Sequence, residues 1–238
     1  MKNKWFLQTT GRNNNLFLAA LILLGLLFPC LTQAGGGDTT ALIRETQKMV
    51  QTEHDLTMVW WIPGEFWRES FASNPNMTPE TTENFMKTLQ PYMLLAVVKG
   101  KFGAFGGVTY QTENEIRSHL LLLDAQGNQY APIDGTDISP DLQNFLSIMK
   151  PIMGNMLGAM GKNFDFYVFP AAGKDGRKIA NPKVEGAFTV QLAGDNFKWR
   201  LPLGALLPKK TCPKCNEQFE GNFNYCPYDG TPLPATKP

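Results

Sequence analysis

The sequence contains no Gly-x-Ser-x-Gly elbow, no metalloprotease helix motif and no glycine-rich nucleotide fingerprint. The linear marks of serine hydrolysis, zinc proteolysis and nucleotide binding are therefore absent. It has no internal repeat and no long low-complexity segment, so no repeat array is expected. It is also short of net charge, with 22 Lys+Arg against 21 Asp+Glu, or +1. A phosphate-binding surface needs a basic excess, so nucleic acid is not an expected partner.

What the sequence does have begins with an apolar run. Lys2, Lys4 and Arg12 precede Leu16–Leu31, which no charge interrupts, and Thr32-Gln33-Ala34 is followed by three glycines. A basic end, an apolar core and a small-x-small site are the parts of a cleavable signal peptide. Residues 1–34 are expected to be removed between Ala34 and Gly35, with Pro29 ending the leader helix. The mature protein would be exported, periplasmic or secreted. The run is shorter than the ~20 residues a spanning helix needs. An uncleaved membrane anchor at residues 16–31 is one alternative, and lipidation of Cys30 is another. Cleavage removes three of the 22 basic side chains and none of the 21 acids. The mature chain then sits at about −2, which also argues against docking on anionic lipid.

The remaining roughly 200 residues suffice for one sizeable core and an appendage. A β-rich globular domain is expected over 39–208 and a separate tail over 209–238, divided at Pro208-Lys209-Lys210. Phe188–Leu192 and Phe197–Leu201 alternate apolar and polar residues around Ala193-Gly194-Asp195-Asn196, which predicts an antiparallel hairpin. Ile116–Leu123 reads as a strand entering a second turn at Asp124–Asn128, with Gly127 left-handed. Tyr92–Lys99 and Phe164–Phe169 read as further strands. Ser139-Pro140-Asp141 and Thr78-Pro79-Glu80 each join a cap, a first-turn proline and an acid, and so open helices. Pro151 should kink the first of these, and Thr40–Gln51 reads as a third helix. Gly103–Gly107 reads as a loop or bulge. The expected fold class is α+β and mainly β, an antiparallel sandwich-like domain with two or three helices.

The tail carries the clearest chemistry. Cys212-Pro-Lys-Cys215 is followed, ten residues on, by Cys226-Pro-Tyr-Asp229-Gly230. Each half is a turn able to present two ligands to one ion, and zinc takes four ligands in a tetrahedron. This stretch resembles the zinc-ribbon family over about residues 211–233. The resemblance implies a structural Zn2+ held by Cys212, Cys215 and Cys226, with Asp229 in the fourth ligand position and a water as the alternative there. The family pattern has cysteine in the fourth position, and Asp229 is a harder, weaker ligand. Phe219, Phe223 and Tyr225 are expected to pack over the ion, and Thr231–Pro238 to fray. Exported cysteines also oxidise. A Cys212–Cys215 disulfide is the alternative, though three mature cysteines are an odd count for a disulfide scaffold.

Other groupings read more plainly as structure. Trp60, Trp61, Phe66, Trp67 and Phe71 could stack on a sugar or an apolar ligand, but such aromatics usually form core. Met149, Met153, Met156 and Met160 share a helix face, either buried or able to bind Cu(I) or a partner. Glu53-His54-Asp55 reads as a solvated helix end, and His119 as a sheet residue facing away from Ser118 and Leu120. No catalytic residue is assigned. The expected function is an exported, non-enzymatic binding or scaffold protein, with a protein partner met through the tail or an aromatic or methionine surface. Zinc or copper handling is the alternative. A cell-envelope hydrolase is a third, requiring a cleft with an acid near His54 or His119.

Overall fold

Met93-Leu94-Leu95-Ala96-Val97-Val98 shows no polar alternation, the pattern of a strand buried on both faces. In the computed structural model, which describes residues 39–235, that run is the middle of the central strand of the larger sheet. The expected leader at 1–34, the anchor segment 16–31, Cys30 and residues 236–238 lie outside the described residues. The elements in chain order are α1 (Thr39–Thr46), β1 (Gln47–Gln51), β2 (Asp55–Ile62), α2 (Gly64–Ala72), α3 (Pro79–Leu89), β3 (Tyr92–Phe102), β4 (Val108–Tyr110), α4 (Glu113–Arg117), β5 (Leu120–Leu123), β6 (Gln129–Tyr130), α5 (Pro140–Lys162), β7 (Asp165–Pro170), β8 (Gly186–Leu192), β9 (Asp195–Leu201), β10 (Lys210–Thr211) and β11 (Gln218–Phe219).

Every pairing between these strands is antiparallel. The larger sheet runs β1-β2-β3, with β7 and β4 sharing the far side of β3. The second sheet runs β6-β5-β8-β9. Met93, Leu95 and Val97 face that second sheet, where they meet a core containing Trp61, Leu122, Tyr167, Phe188, Val190 and Trp199. Leu94, Ala96 and Val98 face the helices, joining Trp60, Trp67, Phe71, Leu142 and Phe145. The body is thus three layers, helices on sheet on sheet. This is the α+β, mainly β, sandwich-like class expected from the sequence, with five α-helices among the described residues in place of the two or three expected.

Several local readings hold. Leu192 pairs with Asp195 across a two-residue turn, in which Ala193 and Gly194 have φ of 50° and 96°. These signs at both central positions are those of a type I′ turn, which suits the twist of a hairpin. Gly127 is left-handed at the second turn. Thr78 and Ser139 cap α3 and α5 by accepting from the N–H of Thr81 and Leu142.

Others need correction. Helix α1 ends at Thr46, and Gln47–Gln51 is instead a strand, because Leu56–Trp60 of β2 pair with all five of its residues. Glu53 and His54 accordingly lie in the exposed β1–β2 connection and half-buried Asp55 opens β2, so the three are not a helix end. Of the expected strand Ile116–Leu123, residues 116–119 are helix and turn, and the strand begins at Leu120. Thr112 and Glu115 form a reciprocal capping box that starts α4, leaving His119 exposed in the turn after it. Helix α5 continues through Pro151, and its interruption falls later, at Gly158 (φ 60°, ψ −136°).

Thr46 ties the layers together at the end of α1. It is fully buried. Its hydroxyl accepts from Trp60 Nε1 at 3.2 Å and its carbonyl accepts from Trp199 Nε1 at 3.0 Å. One residue thereby receives an indole from each sheet. Thr46→Val keeps the shape but leaves Trp60 Nε1 unpaired, and is expected to lower stability by about 1–3 kcal/mol in urea titrations. No change in the urea midpoint would show that this bond is not needed.

Candidate metal centre

Lys210 begins the tail and is buried, with its ammonium donating to the Phe223 carbonyl at 2.9 Å. The tail lies close against the body's last segment. A Cβ added at Gly221 would come within 2.3 Å of Leu207 Cβ, and one at Gly204 within 2.3 Å of Asn222 Oδ1.

Within the tail the two halves repeat one backbone pattern. Cys212 N–H donates to the Glu217 carbonyl (2.9 Å), and Asn216 N–H donates back to the Cys212 carbonyl (3.0 Å). Cys226 N–H donates to the Thr231 carbonyl (2.8 Å), and Gly230 N–H donates back to the Cys226 carbonyl (2.9 Å). The residue after each second ligand position has positive φ, 62° at Asn216 and 72° at Gly230. Asparagine and glycine are the residues that accept that conformation most readily. Each Cys-Pro-x-Cys/Asp turn is therefore a knuckle that aims two side chains the same way.

The two knuckles face each other. Candidate ligand atoms of Cys212, Cys215, Cys226 and Asp229 all lie within 4.8 Å of one another. Cys215 Sγ is 3.7 Å from Cys226 Sγ, and Cys212 Sγ is 3.7 Å from Asp229 Oδ2. All three cysteines are free thiols. A disulfide needs sulfurs about 2.05 Å apart. Tetrahedral thiolate ligands at about 2.3 Å from one ion stand roughly 3.8 Å from each other. The separations match the second geometry, so this Cys3Asp group is set at metal-binding distance.

The electrostatics of the four groups differ. Burial opposes ionisation of Cys212, but N–H groups of Cys215 and Lys214 and the neighbouring thiols hold its pKa below the ordinary value. The Lys214 amide is 3.4 Å from that sulfur. Burial pushes the Cys226 thiol up to about 11. Asp229 is held down to about 2, chiefly by the Thr231 backbone N–H, which donates to it at 2.9 Å. The carboxylate is thus already charged and oriented by its own knuckle.

The tail's small core consists of Cys212, Cys226 and Leu233, with Phe219 packed against it. Two expectations change here. Phe223 and Tyr225 do not cover the cluster; they are exposed, as is Tyr228. Thr231–Leu233 does not fray, because Leu233 N–H donates to the Asn224 carbonyl and Pro232 bridges to Tyr225. The second knuckle's closing bond comes from this segment, so it belongs to the fold of the site.

The remaining candidates lie elsewhere. Trp60, Trp61, Trp67 and Phe71 are buried core, with Phe66 packed against them. Met149 is buried in the helix–sheet layer and Met160 packs at its edge, while the side chains of Met153 and Met156 lie outside the described residues. His54 and His119 are exposed and neither belongs to the cysteine cluster. Sequence reasoning missed a groove between α1 and β9, lined by Arg44, Lys48, Lys198 and Arg200. Its parts are far apart in the chain, so no local motif could have shown it. Among the described residues no helix is long and apolar enough to cross a membrane. The chain matches no family model, and neither the curated proteins nor the solved structures contain a match to it.

Proposed function

We propose that this is an exported, non-enzymatic binding or scaffold module whose C-terminal tail is folded around one structural Zn2+. The observation that carries the metal assignment is the convergence of Cys212, Cys215, Cys226 and Asp229 on two matching knuckles. Three soft sulfurs and one carboxylate at tetrahedral spacing suit zinc better than magnesium or calcium, which prefer all-oxygen shells. Four protein ligands close the coordination sphere, so the ion supplies shape and no open position for chemistry. Export is supported by the leader composition.

Native mass spectrometry of protein purified without reducing agent tests this. A mass beginning at Gly35, carrying one zinc and three reduced cysteines, is the expected result. Asp229→Ala should then weaken zinc retention against a competing chelator, and Asp229→Cys should strengthen it, since thiolate is the softer ligand. A mass without metal and lighter by two hydrogens would replace the zinc with a disulfide.

A second reading, metal handling, draws on one observation: Cys215 is exposed while Cys212 and Cys226 are buried. An exposed ligand sulfur offers an acceptor a point of attack. That reading expects zinc to exchange without unfolding of the tail; the structural reading expects the two to occur together.

A further inference from the structure

We infer that the groove between α1 and the open edge of β9 binds an acidic polypeptide segment in extended conformation, pairing it to β9 as an added strand. The inference rests on the binding-module reading and gives it a partner class; of the lining, only Asn222 belongs to the tail.

Among the described residues β9 is the terminal strand of its sheet. Leu192 and Asp195 flank a two-residue turn and so exchange both backbone bonds. In that register Asp195, Phe197, Trp199 and Leu201 turn their amides toward β8. The amides of Asn196, Lys198 and Arg200 therefore point to the open edge, the template an incoming strand uses.

Along this edge lies a cavity of about 450 Å3 lined by Arg44, Glu45, Lys48, Lys198, Trp199, Arg200, Leu203 and Asn222. Four of these are cations, in a mature chain expected to be nearly neutral. Lys198, Arg200 and Arg44 are exposed, and Lys48 stands over the Trp199 ring at 5.5 Å. Among the described residues none of the four reaches a carboxylate at ion-pair distance. The acid in the lining, Glu45, accepts from the Ala205 N–H at 3.2 Å.

Charge on an edge strand commonly serves to prevent pairing, and here it does so for a second copy of this chain. Two β9 edges would bring Lys198 and Arg200 against their own likeness. An acidic strand meets the opposite condition. Lys198 and Arg200 stand about 7 Å apart on one face, the spacing of alternate residues in any strand that pairs with them. A polyanion without a peptide backbone would satisfy the charges but leave the edge amides unused.

The test is calorimetric titration of the full mature chain with an acetylated, amidated Glu-Val-Glu-Val-Glu-Val peptide. Three competitors are run beside it: the same peptide N-methylated on the valines, the same peptide N-methylated on the glutamates, and inorganic polyphosphate. The peptide is expected to bind, with affinity falling as salt rises. Lys198→Glu combined with Arg200→Glu should weaken it about ten-fold or more, and Arg44→Gln should weaken it less. Of the two methylated peptides, the one whose pairing amides are blocked should lose binding. Equal binding of both methylated peptides, or polyphosphate binding as tightly as the peptide, would overturn strand addition in favour of a general anion site. Absence of peptide binding would also overturn the inference. Native mass spectrometry and circular dichroism on the same samples report zinc content and folding, so failure of the groove is separable from failure of the tail assignment.

Discussion

Removing the metal with a strong chelator is expected to unfold residues 209–235 while the body at 39–208 stays folded. The tail buries only Cys212, Cys226 and Leu233, with Phe219 partly covered. Its two strands are two residues each. So little apolar burial does not offset the ordering of a segment this long. Structural zinc contributes about 10–16 kcal/mol in small zinc-folded peptides, which is enough to decide the equilibrium. Hydrogen exchange reads the outcome directly. The amides of Cys212, Asn216, Cys226 and Gly230, which close the two knuckles, should lose protection together, while those of β3 and β8 keep theirs. Cys226→Ser should act as the chelator does, since it removes one thiolate and a buried wall of the tail core. Protection that persists after metal loss would show that packing against Gly204–Pro208 holds the tail unaided, and would sink the structural-zinc reading.

Trp199→Ala should give the largest loss of stability in the body, about 3–5 kcal/mol. The indole is 1 % exposed and stacks on Phe188 with centroids 4.9 Å apart and planes within 4°. Its N–H donates to the Thr46 carbonyl and Lys48 lies over its face. Truncation therefore opens a cavity between the sheets and releases the end of α1. In a chain of this size the midpoint of thermal unfolding should fall by roughly 10–15 °C. Trp199→Phe separates the two contributions. It retains much of the packing and loses the hydrogen bond, and should cost about 1–2 kcal/mol. A loss below about 1 kcal/mol for the alanine variant would mean that the sheets re-pack around the gap.

The elements legible in the sequence were those whose signal is local. The β8–β9 hairpin was marked by strict alternation and by a turn that glycine suits, and both helix starts with a first-turn proline were read correctly from three residues. The α4 start carried an equally local signal, Thr112 with Glu115, but the apolar run after it was read first and absorbed it. The β1 strand had no signal of its own. Gln47–Gln51 is extended because β2 lies beside it, and a pairing partner is not visible in the segment that gains it. The same holds for Thr231–Leu233, which looks like a loose end until the second knuckle bonds to it.

The candidate ligands were fixed by spacing. Two Cys-Pro-x-x turns ten residues apart name Cys212, Cys215, Cys226 and Asp229, because a knuckle is a local backbone shape and its ligands sit at its ends. Spacing could not decide between a disulfide and a metal. The 3.7 Å separations between knuckles, which arise from how the two turns are brought face to face, set the group at metal-binding distance. Nor could it reveal that Phe223 and Tyr225 turn outward.

The amino-acid sequence by itself determined the mainly antiparallel character and the residues of the Cys3Asp group, because turn chemistry, strand alternation and knuckle spacing act over a few residues. Only the tertiary structure decided that Thr46 receives an indole from each sheet, and that four cations from α1, β1 and β9 line one edge. Those features join residues as distant as Arg44 and Arg200, and distance along the chain is crossed only by packing.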